Sequence, residues 1–190
     1  MQRRRADETA LLDACSLINL CASGQVLRIL GEMPMDFGVA EGVTREALFV
    51  LPHVGGNEPG PPEPIDLPSL VVRGLIAMHS IDTAEEATTY VAFAAELDDG
   101  EAMTCAIAFH RTFTVVTDDR KAIRVLHWLA PQVTVVSTLD IVRLWSARAG
   151  VDSTELRRML TDIRDRARFV PRLDNPNRPW WDSIMAPPNT

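Results

Sequence analysis

Short apolar runs that end on a turn or an acid alternate along this chain with stretches in which apolar residues recur at helical spacing. Ala10, Leu11 and Leu12 read as a strand that breaks at Asp13, with Ser16 placed to cap a helix continuing to about Leu20. Gly24 and the run after it predict a second short helix over Gln25–Leu30. Residues 31–38, with Pro34, read as a connection, and Phe37–Val39 as a minor strand. Thr44 is placed to cap a helix carrying Glu46 in its first turn. Leu70–Ile76, with Val71 and Val72 at its middle, is strand-like.

The segment from Leu97 to Asp119 organises the rest. Ala102, Ala106 and Phe109 recur at helical spacing, Thr114 to Thr117 form a compact strand-like run, and acids stand at both ends: Asp98, Asp99 and Glu101 before, Asp118 and Asp119 after. Upstream, Thr83 and Glu86 have the spacing of a capping box for a helix through Leu97, Gly100 marks a break, and Glu101 begins the next helix. Downstream, Arg120–Leu129 is amphipathic, Val133–Val136 strand-like and Thr138–Ala147 helical. Strands alternating with helices predict an α/β fold around a parallel sheet with right-handed crossovers. Ligands of such sheets bind outside the carboxyl ends of the strands, where Asp118 and Asp119 would sit.

Two segments stand apart from this alternation. Residues 52–68 are rich in Pro and Gly and read as a long surface loop, a candidate for binding or for covering a site. After a helix signature at Asp152 to Glu155, a polar-faced helix runs to about Phe169. Arg157, Arg158, Arg164, Arg166 and Arg168 lie on its exposed side, and Leu156, Leu160 and Ile163 on a side that packs, in one arrangement, against a second subunit. The tail from residue 171 to 190 is broken by prolines, and its Trp180 and Trp181 read as packing it back onto the domain. The 190 residues, 46% hydrophobic, fit one domain over 1–150 with residues 151–190 packed on it.

Composition adds a compartment and a charge pattern. Three cysteines without metal-like spacing suit a reducing cytoplasm, with Cys15, Cys21 and Cys105 read as core residues. The basic start and apolar stretch imitate an export signal, but Asp7, Glu8, Asp13 and Asn19 interrupt it, and no run approaches a membrane span. The net charge of −7 is uneven: residues 1–100 carry 6 Arg against 16 acids, while residues 101–170 carry 11 Lys and Arg against 8. That permits a phosphate-attracting face beside an acidic pocket.

Taken in order, the runs LLDACSLINL, VTREAL, LDDGEA and VVTDDR resemble the four acidic motifs of the PIN-domain family, over roughly residues 10–148 and at about the family's spacing. The subgroup with a GEA motif is the nearest in pattern, and VapC-type toxins are among the members. The resemblance implies a three-layer α/β/α sandwich with a central parallel sheet. It also implies an endoribonuclease whose acids, Asp13, Glu46, Glu101 and Asp119, hold one or two Mg²⁺ or Mn²⁺ ions. Asp99 is the alternative to Glu101 and Asp118 to Asp119, with Ser16 and Thr117 behind them. RNA as substrate, an antitoxin protein and a second copy of the chain are the partners it implies. Two departures stand out: Cys15 replaces the usual Ser or Asn two positions after the first acid, and Met103 stands where many relatives have an acid.

The chemistry agrees with that reading. Carboxylates forced together raise one another's pKa, so their clustering is unfavourable without a cation. A divalent ion so held activates water and stabilises phosphoryl oxygens, which leads to phosphodiester hydrolysis. Arg120, Lys121 and Arg124, directly after the last acids, suit either RNA phosphates or a solvated helix face. His53, His79, His110 and His127 follow no ligand pattern. The alternative function is a non-catalytic PIN-like module, in which Cys15 and Met103 mark a relaxed site and residues 52–68 and 171–190 bind protein.

Overall fold

The computed structural model describes residues 8–46, 48–53 and 60–187. The basic start of the apparent export signal, the middle of the Gly/Pro loop and the last three tail residues lie outside the described residues. Five parallel strands form the central sheet: β1 (Thr9–Leu12), β2 (Asp36–Ala40), β5 (Ala77–His79), β6 (Thr114–Val116) and β7 (Val135–Val136). Their order is β5-β2-β1-β6-β7, with Leu11 beside Gly38 on one flank and Val115 on the other. Two further short strands, β3 (Phe49–Val50) and β4 (Glu63–Pro64), pair antiparallel on their own, so the ends of the predicted loop are fastened together.

The sheet is sandwiched in the expected three-layer α/β/α arrangement. On one side α1 (Ala14–Ala22) and α2 (Val26–Glu32) pack with α7 (Thr138–Ala149), and α1 also meets α8 (Ser153–Arg166). On the other, α4 (Ala84–Ala94) packs on α5 (Asp99–Arg111), which spans β2, β1 and β6. Helix α6 (Arg120–Leu129) joins β6 to β7 and buries Ala122, Val125 and Leu126. Leu11, Leu12, Leu17, Leu20, Ile107, Leu139 and Trp145 form the centre of a continuous core. Among the described residues, no single helix is long and apolar enough to cross a membrane.

Several local expectations are corrected, each by a stronger signal nearby. Residues 70–76 are not a strand: α3 (Leu67–Val72) forms because Asp66 accepts the Ser69 N–H and Pro68 suits its first turn. Gly74, at φ +66°, follows it in the left-handed region. The β-branched Val72 that suggested a strand is 88% exposed. Phe37–Val39 belongs to an interior strand rather than a minor one, flanked on both sides by hydrogen-bonded neighbours. Asp13, not Ser16, caps α1, accepting the Ser16 N–H at 2.6 Å. In place of a helix starting at Thr44 there is a 3₁₀ turn, Glu41–Arg45, in which the Thr44 hydroxyl donates to the Glu41 carbonyl. Glu46 follows that turn instead of opening a helix.

Gly100 lies within the first turn of α5, where Asp98 is the cap, and so marks no break. Thr83 does cap α4, but Glu86 turns its carboxylate to the Asp82 N–H and to Arg111 instead of completing a box. Arg166 is buried: it donates to the Leu51 carbonyl and to Glu63, tying α8 to the β3–β4 pair. Leu156, Leu160 and Ile163 are buried within this chain's own core. The tail contains α9 (Arg178–Met185), whose Trp181 is buried edge-on to Phe169, while Trp180 receives Arg143 over its ring. Cys105 is buried and Cys21 half-buried, but Cys15 is exposed.

Candidate functional site

Chain order and sheet order together place the site. From β1 the chain moves to β2 and then β5 on one flank, and later to β6 and β7 on the other, so the order reverses between β1 and β6. At such a switch point the connections leave in opposite directions and open a crevice at the carboxyl ends. Asp13 directly follows β1, and Thr117, Asp118 and Asp119 directly follow β6. The Asp13 N–H donates to the Val116 carbonyl, which locks the two strand ends side by side. The turn after β2 brings Glu46, and the start of α5 brings Asp98, Asp99 and Glu101.

Four carboxylates from four separated segments therefore act on one another. Burial pushes Asp13 up to about 6, with Asp118 adding to the effect and Thr117 and Ser16 opposing it. Glu46 is also raised to about 6, by desolvation and then by Asp98, Asp13 and Asp99. Glu101 reaches about 7, by desolvation and then by Asp98, Asp119 and Asp13. Cys15 lies among them: desolvation and then Asp13, Asp119, Glu101 and Glu46 raise its thiol to about 12, so it stays protonated. These groups sense one another across a shared cleft. Among the described residues, no three Asp, Glu, His or Cys side chains are placed closely enough to grasp an ion together.

The donor chemistry fits a hard divalent cation. Asp13 is 4% exposed, and one of its oxygens, Oδ2, is buried without a hydrogen-bond partner. So is the Ser16 hydroxyl oxygen, one turn along α1. Buried oxygens without partners are costly, and a cation with its bound waters would satisfy both. Asp119 is half committed: its Oδ1 accepts the Lys121 and Ala122 N–H groups as the α6 cap, and its own N–H donates to Thr117 Oγ1.

The alternatives named from sequence have other partners. Asp118 Oδ2 accepts from Asn19 at 3.1 Å and Oδ1 from the Thr138 N–H at 3.3 Å, so it braces β6 against α1 and α7. Desolvation raises its pKa despite those bonds. Asp99 accepts from the Tyr90 hydroxyl and from Arg45, facing away toward α4 and the 3₁₀ turn. Met103, at the position where an acid was missing, is 8% exposed, and its sulfur accepts the Gly42 N–H at 3.3 Å.

Sequence reasoning gave Asp98 and Gly100 no part in the site. Asp98 is the largest charge neighbour of both Glu46 and Glu101, and its place three residues before Glu101 is the spacing of a helix cap. Gly100 gives space: a Cβ there would overlap Glu46 Oε1, so the carboxylate lies directly on the glycine backbone. Arg120, Lys121 and Arg124 project from α6, all exposed, and Arg120 and Arg124 line a groove beside Asp118. No known family profile matches the chain, and no curated protein matches it.

Proposed function

We propose that this protein is a PIN-like endoribonuclease that depends on Mg²⁺ or Mn²⁺. One observation carries the reading: acids from four separated segments lie within electrostatic reach of one another at the switch point of a parallel sheet, and the most buried of them, Asp13, keeps an oxygen unpartnered. Asp13, Glu46, Glu101 and Asp119 would hold the ion. Bound there, it would lower the pKa of a coordinated water and draw charge from a phosphoryl oxygen.

The chain's own groups account for the rest. Glu101, raised to about 7 by burial and neighbouring acids, is the group whose charged form gains most from a cation, which fits it to hold the ion and orient the attacking water. Ser16 and Thr117 supply hydroxyls beside Asp13, and Asp118 fixes the spacing of β6 and α1 without needing to reach the substrate. Cys15, a protonated thiol, offers no hard donor where relatives carry an oxygen, which favours a site with retained waters over one closed by protein ligands. A toxin role with an antitoxin partner is a narrower form of this reading; sequencing the flanking DNA tests it, a small antitoxin gene next to this one being the expected result for a toxin and its absence turning the reading to RNA processing or decay.

The Met103 thioether in place of an acid favours a second reading, a non-catalytic interaction module of the same fold. Incubation of a mixed RNA pool with purified protein in Mn²⁺, Mg²⁺ or EDTA separates the two, with Asp13→Asn and Glu101→Gln prepared identically. Metal-dependent cleavage lost in both variants is the expected result. Cleavage that persists in the variants overturns the site assignment, and a folded wild type that neither cuts RNA nor gains thermal stability from metal favours the module.

A further inference from the structure

The segment between α8 and α9 forms the outer wall of the acidic cleft, and it lies beyond the residues that carry the PIN resemblance. Both of its ends are anchored. At the start, Phe169 packs against buried Trp181; at the end, buried Asn177 accepts from Arg143 and donates to Asp140, while Arg178 donates to the Pro171 carbonyl. Arg168, just before the first anchor, and Arg172, between the two, are exposed.

Two grooves meet along this segment. The first, about 320 Å³, runs between Asp119 and Cys15 on the floor and Arg168 and Phe169 on the wall. The second, about 570 Å³, runs along α6 between Arg120, Arg124 and His127 on one side and Arg172 on the other. Asp118, Arg172 and Asn175 line both, so the grooves adjoin at Asp118, on the β6 side of the acids.

Most acids bordering this track are already occupied. Asp174 is paired with Arg172, Asp140 takes the Ser137 N–H and Asn177, and Asp118 takes Asn19 and Thr138. Among the described residues, no side-chain hydrogen bond or ion pair involves Arg168, Arg120 or Arg124, although the charge of Arg120 reaches Asp174. Arg168 also sits at φ +53°, a backbone region where glycine would be easier, so the side chain stands on a locally strained backbone. Unpaired guanidinium groups alternating with apolar or aromatic surface (Phe169, Val136, Ile123) are the composition of a groove for single-stranded nucleic acid.

We propose that the segment 168–175 and α6 form a track for single-stranded RNA that runs past Asp118 and Asp119 at the edge of the carboxylate cleft. Arg168 holds a phosphate on one side of these acids, and Arg120 and Arg124 hold phosphates on the other. The inference rests on the ribonuclease reading and adds to it a wall from outside the PIN-like region. It makes the site one that a strand runs past, so cutting is internal.

Fluorescence anisotropy of a labelled single-stranded RNA oligonucleotide, in EDTA and over a salt series, tests this without requiring cleavage. The variants are Arg168→Gly, which relaxes the backbone, the double variant Arg120→Gln with Arg124→Gln, and Arg158→Gln, on the exposed face of α8, as control. Arg168→Gly is expected to weaken binding several-fold and to reduce the salt slope by about 0.7, the value of one single-strand phosphate contact. The double variant should lose more, the control nothing, and duplex RNA should bind more weakly than the single strand. Equal affinity for wild type and Arg168→Gly, equal binding of duplex, or no RNA binding by folded wild type overturns the track. Arginine-dependent binding with no cleavage in any metal leaves the track standing and removes the nuclease. Metal-dependent cleavage with an unchanged KM in Arg168→Gly does the reverse.

Discussion

Two buried carboxylates in this molecule, Glu86 and Asp13, have opposite surroundings. Glu86, 2% exposed on α4, accepts from Arg111 through both oxygens, at 2.7 and 2.9 Å, and from the Asp82 N–H at 2.8 Å. Its pKa falls to about 2, the hydrogen bonds from Arg111 being the main cause. Asp13, 4% exposed, has one backbone donor to Oδ1, none to Oδ2, and a pKa raised to about 6. Both side chains are closed off from solvent, but Asp13 lies deep in the molecule and its shift is set first by desolvation, whereas Glu86 lies near the surface and its shift is set by Arg111, so depth and partner together make the difference. A buried acid with a resident cation fastens structure, here the edge strand β5 to α5 through Arg111, which also donates to Ser80 and Asp82. A buried acid among other acids stores unfavourable charge that an added cation would relieve.

The largest effects come from exchanging the two acids' fates. Asp13→Asn is expected to reduce cleavage on the order of 10³-fold, the several kcal/mol that a metal-held charge supplies, with no loss of metal-free thermal stability. Glu86→Gln should do the opposite, costing about 2 kcal/mol in urea unfolding by leaving Arg111 with only Ser80 and Asp82 as full partners, with cleavage per folded molecule retained. If Asp13→Asn unfolds the protein and Glu86→Gln does not, the contrast between the two acids is wrong.

Next is the pH dependence, whose sign differs between the regions. Asp13, Glu46 and Glu101 bind protons more tightly folded than unfolded, with folded values near 6, 6 and 7. Metal-free stability from these groups therefore falls as pH rises from about 4 through 7. Glu86, lowered to about 2, contributes stability above the ordinary carboxylate range that is lost as pH falls toward that value. Differential scanning in EDTA should thus show the melting temperature declining between pH 5 and 8. Mg²⁺ at about a hundred times its Kd should restore roughly 5 to 10 °C at pH 8 and far less at pH 5. A metal response equal at both pH values would separate the ion from these carboxylates.

The smallest effect sharpens the geometry. In Gly100→Ala the new methyl displaces only the end of the Glu46 side chain. Stability should be unchanged or up to about 1 kcal/mol higher, from helix propensity. The metal concentration for half-maximal cleavage should rise several-fold, and an unchanged metal midpoint would remove Glu46 from the ion's surroundings.

Much of the fold was legible from local pattern, because strands and helices write their periods directly into the sequence. The helices from Gln25, Thr83, Arg120 and Asp152 and the strand at Thr114 are found close to where periodicity put them. Residues 70–76 misled because a β-branched pair at the end of a short helix resembles a strand; the Asp66 cap and Pro68 were the better signal. Arg166 was assigned to an exposed face because periodicity reports which side of a helix turns inward, not what polar groups wait there; the Leu51 carbonyl and Glu63 come from far along the chain.

The amino-acid sequence by itself determined the element types, the acids at the ends of β1 and β6 and the uneven charge, since each depends on neighbours in the chain. Only the tertiary structure decided which acids share a cleft. Asp99 and Glu101 are two residues apart, yet one turns to Tyr90 and Arg45 and the other toward Asp119 and Asp13. Asp118 and Asp119 are adjacent, yet one braces α1 and α7 while the other caps α6. Side-chain direction at a helix start or strand end changes with every residue, and the partner that captures each carboxylate comes from a distant segment. The carboxylate left without a partner is therefore identified only when all the competing donors are in place.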